Sequence, residues 1–201
     1  MPRLVDTHCH LYFNSFDNDL PEVIQRAMDK GVEHILIPGI DLESSRKAIQ
    51  LSEQYPMAFA AVGGHPNNAL DWAPALLDEI YRLANHPKVL AIGEIGLDFF
   101  REYTPPEIQI CAFQDQLEIA KAMNKPIILH SRQSTSAILP LVCSWQKQVM
   151  DEHLSLFPGI FHAFEGTLEE ASIAQEYHFC LGIGGSVTYK NAIEKQILAT
   201  E

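Results

Sequence analysis

Short apolar runs alternate with amphipathic stretches along the whole chain. Seven of the runs read as strands: Leu4–His8, His34–Pro38, Ala58–Gly63, Val89–Gly93, Pro126–His130, Gly159–His162 and Cys180–Ile183. Each is a brief hydrophobic segment bounded by polar, Gly or Pro residues. Between them, apolar residues fall at helical spacing. Leu20, Val23, Ile24, Ala27 and Met28 do so within Leu20–Lys30, which Gly31 closes. Leu76, Leu77, Ile80 and Leu83 do so within Trp72–Ala84. Further helices are expected at Glu43–Gln54 behind an Asp41 cap, Glu107–Met123 after Pro105-Pro106, Ser136–Asp151 and Leu168–Tyr177.

Strand-plus-helix units of about 30 residues in unbroken succession predict an α/β fold with a parallel sheet, a TIM-type (β/α) barrel. Such barrels have eight strands and typically about 250 residues. Seven strands in 201 residues therefore predict a barrel that is incomplete at the C-terminus. The chain contains no internal repeat, low-complexity tract or linker, so one domain, 1–201, is expected.

Composition narrows the class. No apolar run approaches the roughly 20 residues that span a bilayer, and Met1-Pro2-Arg3 leads straight into a strand with no signal-peptide core. Cys9, Cys111, Cys143 and Cys180 form no C-x-x-C pair, which predicts reduced thiols and a cytoplasmic location. A net charge of −12 argues against a broad basic surface for nucleic acid. It leaves open a nucleic-acid substrate at a site whose local charge is set by bound cations.

The candidate chemistry lies at the carboxyl ends of the strands, where parallel α/β folds place their active residues. His8 and His10 flank Cys9, and strand alternation predicts that the two imidazoles share a face while the thiol points away. Glu94 ends the fourth run, His130 the fifth and His162 the sixth. Imidazole suits zinc-like ions, and a carboxylate can bridge two cations. The expected arrangement is two divalent ions, one on His8, His10 and Glu94, the other on Glu94, His130 and His162, with metal-assisted hydrolysis as the reaction. His65, before Pro66, could reach a substrate phosphate or simply shape a turn. Arg132 could clamp a phosphate or simply open a helix. Asp6 and Asp98 are candidates for supporting hydrogen bonds to metal ligands, while Trp72 and Trp145 read as packing residues.

These residues sit in segments that resemble one family. Val5-Asp6-Thr7-His8-Cys9-His10-Leu11, Val62-Gly63-Gly64-His65-Pro66, Gly93-Glu94-Ile95-Gly96-Leu97-Asp98-Phe99-Phe100-Arg101 and Ile128-Leu129-His130-Ser131-Arg132 come first. Gly159-Ile160-Phe161-His162-Ala163-Phe164-Glu165-Gly166 and Leu181-Gly182-Ile183-Gly184-Gly185 follow. In that order they resemble the TatD-related metal-dependent deoxyribonucleases of the amidohydrolase superfamily. The resemblance implies a distorted TIM barrel and two divalent ions (zinc, magnesium or manganese) on His8, His10, Glu94, His130 and His162. It also implies catalysis at Glu94, substrate contacts at His65 and Arg132, and hydrolysis of DNA or another phosphoester, commonly as a 3′–5′ exonuclease. Asn67 stands where many members have histidine, and Glu165 where serine is frequent. Members continue through an eighth strand with a Glu-Thr-Asp motif whose aspartate binds metal and acts as base, whereas this sequence ends at Glu201. Lower activity of the 201-residue chain is the corresponding expectation. The competing readings are an amidohydrolase-type enzyme cleaving C–N or ester bonds, and a non-catalytic truncated relative that binds metal or a partner.

Overall fold

The computed structural model describes residues 3–101, 103–192, 196–197 and 199–200; Met1, Pro2 and Glu201 lie outside them. Its strands are β1 (Leu4–Asp6), β2 (Val32–Pro38), β3 (Ala58–Val62), β4 (Val89–Asp98), β5 (Ile127–Arg132), β6 (Gly159–Phe161) and β7 (Cys180–Leu181). They form one parallel sheet in the order β1-β2-β3-β4-β5-β6-β7. The helices are α1 (Leu20–Asp29), α2 (Leu42–Gln54), α3 (Pro74–Ala84), α4 (Pro106–Ala122), α5 (Thr135–Gln146), α6 (Glu152–Leu156) and α7 (Leu168–Glu176). Sequential strands with helical crossovers make this an open (β/α) barrel of the TIM type. No helix among the described residues is long and apolar enough to cross a membrane.

Local chemistry explains most element ends. Asp41 accepts from the Ser44 N–H (2.7 Å), and the Ser44 hydroxyl accepts from the Asp41 N–H (3.0 Å), so α2 starts on a reciprocal cap. Thr167 and Glu170 do the same for α7. Proline opens α4 at its first position, and Gly31, at φ 91°, carries the chain out of α1. Two expected helices change. Pro74 holds Ala73 extended, so α3 begins after Trp72 rather than at it. The expected Ser136–Asp151 helix ends early, at Gln146, and a separate short helix, α6, starts beyond it where Asp151 accepts from the Leu154 N–H (2.8 Å).

The sheet's two faces bury different sets of residues. Ile35, Ile37, Ala60, Val62, Ile92, Ile95, Leu97, Ile127 and Leu129 belong to the large cluster beneath the helices. Ala61, Ala91 and Ile128, with Leu36 and Ile160, pack on the opposite, inner face. His130 and His162 lie two residues beyond Ile128 and Ile160, so strand alternation aims both imidazoles inward, above this small apolar layer.

Candidate metal centre

Glu94 reaches the same inner face by a different route. Simple alternation would give it the orientation of Ile92, toward the helices. Between Ile92 and Ile95, however, three steps of β4 oppose two steps of β5, from Ile127 to Leu129. The extra residue is a bulge, which re-aims the side chains that follow it. Gly93 is required there, since a Cβ on it would stand 2.6 Å from Cβ of Ile128. The bulge turns Glu94 inward while Ile95 and Leu97 return to the helix side. β4 therefore runs on to Asp98 rather than ending at Gly93, and Glu94 lies within the strand rather than at its tip.

The first histidine pair also departs from expectation. β1 stops at Asp6, so His8 and His10 are brought together by a turn rather than by the pleat. Asp6 Oδ1 accepts the His8 backbone N–H (3.0 Å) and shapes that turn, so its role is backbone support and not orientation of an imidazole. The Cys9 N–H bonds to the Leu36 carbonyl (3.2 Å), and Cys9 packs against the apolar core, where burial and the nearby Asp6 carboxylate push its thiol up to about 11.

All five expected ligands converge. Glu94 Oε2 lies 3.3 Å from His8 Nε2 and 3.4 Å from His10 Nε2. Oε1 lies 2.8 Å from His130 Nδ1 and 3.0 Å from His162 Nε2, with His65 Nε2 at 3.6 Å. The rings of His8 and His162 stack at 3.9 Å. Glu94 is only 3% exposed, and among the described residues its ion-pair partners are all imidazoles. Burial pushes its carboxyl up, but the surrounding imidazoles of His10, His130, His162 and His8 outweigh this and hold it well below the usual carboxylate range.

The hydrogen-bond partners define which ring nitrogens face inward with lone pairs. His10 Nδ1 faces the Tyr12 hydroxyl (2.7 Å) and the Pro38 carbonyl (3.1 Å), while the Tyr12 O–H donates to the same carbonyl (2.9 Å). Nδ1 thus carries the proton, and in the neutral ring Nε2 presents a lone pair toward Glu94. His8 Nε2 and His10 Nε2 stand 3.1 Å apart. Two nitrogens bound at about 2.0–2.1 Å to one tetrahedral ion are roughly 3.3 Å apart. Three potential ligand atoms converging this closely (His8 Nε2, His10 Nε2 and Glu94 Oε2) fit a cation between them. His8 Nδ1 is buried without a hydrogen-bond partner among the described residues, and burial lowers the pKa of that imidazole despite Glu94.

On the other side, His130 Nε2 meets Asp98 Oδ2 (3.2 Å), and Asn67 donates to the same oxygen (2.9 Å). Asp98 Oδ1 accepts the backbone N–H groups of Phe100 and Arg101 (3.0 Å each). Burial works against the Asp98 charge, yet the Arg101 N–H, Asn67 and His130 hold its carboxyl below the usual value. This is the carboxylate–imidazole arrangement that orients metal-binding histidines. His65 differs from the other rings. Its Nδ1 accepts the Asn67 N–H (3.1 Å), so the neutral ring's proton sits on Nε2, facing Glu94. Proximity groups His65 with Glu94 and His130 as possible ligands, but this tautomer makes it a hydrogen-bond donor. Burial, then the neighbouring His130, push its pKa down to about 4. Arg132 lies at the rim with its guanidinium 4.0 Å over the Phe100 ring.

Two glutamines two turns apart on α4 tie the flanking loops in place. Gln109 accepts the Asp98 N–H (2.8 Å) and donates to the carbonyls of Asp98 (3.0 Å) and Thr104 (2.8 Å). Gln116 accepts the Gly64 N–H (2.6 Å) and donates to the Gly64 carbonyl (3.1 Å), next to His65. Neither glutamine, nor Tyr12, stood out in the sequence, although a polar residue repeated at i, i+7 on an otherwise apolar helix face was a usable signal. Trp72 and Trp145 do pack, with their indole N–H groups on Asp115 and the Leu117 carbonyl.

An open (β/α) barrel with imidazoles gathered on one buried glutamate at the strand ends has the form of a metal-dependent hydrolase. The sequence comparisons agree. The family model described as TatD related DNase matches residues 5–201, and the chain belongs to that family. It is 39% identical over 189 residues to the uncharacterized metal-dependent hydrolase YabD of Bacillus subtilis, covering 94% of this chain and 71% of that one. It is 35% identical over 185 residues to the 3′-5′ ssDNA/RNA exonuclease TatD of Salmonella typhimurium, covering 92% and 68%. Among solved structures, the TatD homolog YjjV of Escherichia coli superimposes with a TM-score of 0.84 at 31% identity, covering 94% of this chain and 71% of that one.

Proposed function

We propose that this chain, acting as one domain over residues 1–201, hydrolyses phosphodiester bonds in nucleic acid, DNA first, releasing nucleotides from the 3′ end. The observation that carries the reading is the single buried carboxylate with imidazoles on both oxygens. In this reading His8 and His10 with Glu94 hold one divalent ion, and His130 and His162 with Glu94 hold a second, from among zinc, magnesium and manganese. Bound ions of this kind polarise a phosphoryl oxygen and lower the pKa of water at the site. Glu94 supplies the shared negative charge. Asp98 keeps His130 in one orientation and tautomer. His65 Nε2–H donates to a phosphate oxygen, and Arg132 grips a phosphate from the rim. The exonuclease named among the relatives supports nucleic acid as substrate, and a cytosolic setting suits the unpaired cysteines.

The test is release of mononucleotides from single-stranded DNA labelled at either end, with manganese or magnesium, a chelator control, and ester and amide substrates in parallel. Metal-dependent shortening from the 3′ end is expected, together with two metal equivalents by elemental analysis. Ester or amide turnover with intact DNA would instead favour amidohydrolase chemistry.

A further inference from the structure

The rim of the cluster carries two phenylalanines that core packing does not account for. Phe13 is 44% exposed and Phe100 is 52% exposed. Each is nevertheless fixed on one side by a group tied to the centre. The Phe13 ring stacks on His10 (centroids 5.0 Å, planes 25° apart) and meets Tyr12 edge-on. The Phe100 ring is covered by the Arg132 guanidinium at 4.0 Å, and its backbone N–H is held by Asp98. Through these contacts Phe13 adjoins the side of Glu94 that carries Oε2, and Phe100 adjoins the side that carries Oε1.

Such rings suit one kind of partner. With 14 basic and 26 acidic residues, the chain has little charge with which to grip a phosphate backbone along its length. Stacking is the alternative source of sequence-tolerant affinity, since every base has a π-face. Bases inside a duplex are already stacked and paired, so a rim ring takes an unpaired one. We infer that Phe13 and Phe100 are base-stacking subsites for single-stranded nucleic acid, one on each side of the Glu94 carboxylate, with Arg132 as the rigid backing of the second. The inference rests on the nucleolytic reading and adds where the bases flanking the cleaved bond lie.

The experiment compares the wild type with Phe100→Ala, Phe13→Ala and Phe100→Trp on two single-stranded oligonucleotides, one normal and one with abasic residues at the two 3′-terminal positions. Rates are measured alongside fluorescence anisotropy of the same oligonucleotides, in DNA and RNA versions, and melting temperature verifies folding of these surface variants. Stacking of about 1–3 kcal/mol per base corresponds to roughly 5- to 150-fold. Phe100→Ala and Phe13→Ala are expected to raise KM and Kd for the normal strand about tenfold with kcat changed less. Their effect on the abasic strand should be below twofold, and Phe100→Trp should retain or tighten binding. Wild-type cleavage with both alanine variants unchanged on the normal strand would overturn the stacking assignment alone. No cleavage of any oligonucleotide by the wild type would remove the nucleolytic reading, and the subsites with it.

Discussion

The two oxygens of Glu94 are served by regions built in different ways. On the Oε1 side, His130 stands on the internal strand β5, braced by Asp98, which is itself bonded by Asn67 and two backbone N–H groups. On the Oε2 side, His8 and His10 hang from a turn after the short strand β1, whose Leu4 and Val5 are exposed. His10 is braced by a hydroxyl and a carbonyl, while His8 Nδ1 has no hydrogen-bond partner among the described residues. The difference teaches that one half of the centre is preorganised and the other is free to adjust. Metal should therefore bind first and more tightly on the Oε1 side, because outer hydrogen bonds fix ligand direction and basicity.

The change with the largest effect abolishes the comparison itself. Glu94→Gln keeps the volume but removes the charge that both halves share. Loss of at least one metal equivalent and an activity drop beyond the 10- to 100-fold scale of outer-partner mutations are expected. Unchanged stoichiometry by elemental analysis would rule out Glu94 as the bridge.

Asp98→Asn attacks the preorganised half only. It leaves the bonds to backbone N–H groups possible but removes the carboxylate facing His130 Nε2. Metal affinity of the tighter site should fall about 10- to 100-fold, with the weaker site little changed. Calorimetric titration resolves the two, and an equal loss at both sites would contradict the asymmetry.

Much of this was legible in the chain, and the exceptions have physical causes. The strand and helix order follows from apolar periodicity and caps, and the parallel barrel follows from their alternation. His130 and His162 could be aimed correctly because they sit in or just beyond regular strands. Glu94 and the His8–His10 pair join the same cluster, although alternation did not take them there. A bulge at Gly93 and a turn after Asp6 set their directions, and both depend on partners distant in sequence: Ile128 against Gly93 and Leu36 bonded to Cys9. Tyr12, Gln109 and Gln116 act on backbone groups 26, 11 and 52 residues away; the i, i+7 spacing of the glutamines marks a polar stripe on α4 but not the distant groups it binds.

Acid acts on both halves of the metal-free protein in the same direction. The His65 pKa falls from 6.5 to about 4 on folding, and that of His8 is also lowered. For these groups the unfolded chain binds more protons between the two values, so stability is full above about pH 6.5 and drains as pH falls toward 4. Glu94, held below its usual value, adds a loss below about pH 4.5. From the His65 shift, moving from pH 7 to pH 5 destabilises the protein by about 2 kcal/mol, several degrees of melting temperature for a chain of this size. His65→Asn should flatten that dependence, and an unaltered profile would mean that His65 is not titrating in this range.

The smallest expected effect tests the bracing of the adjustable half. Tyr12→Phe removes the hydroxyl beside His10 Nδ1 but leaves the Pro38 carbonyl 3.1 Å away as an acceptor. The tautomer that turns the Nε2 lone pair inward is therefore preserved, with one bond fewer to fix the ring plane. Loss of a neutral hydrogen bond of this kind costs about 0.5–1.5 kcal/mol, so the weaker metal site should lose roughly 2- to 10-fold in affinity and the tighter site nothing. The same calorimetric titration separates them. A larger effect at the tighter site than at the weaker one would reverse the assignment of which half is preorganised, since the Tyr12 hydroxyl braces His10.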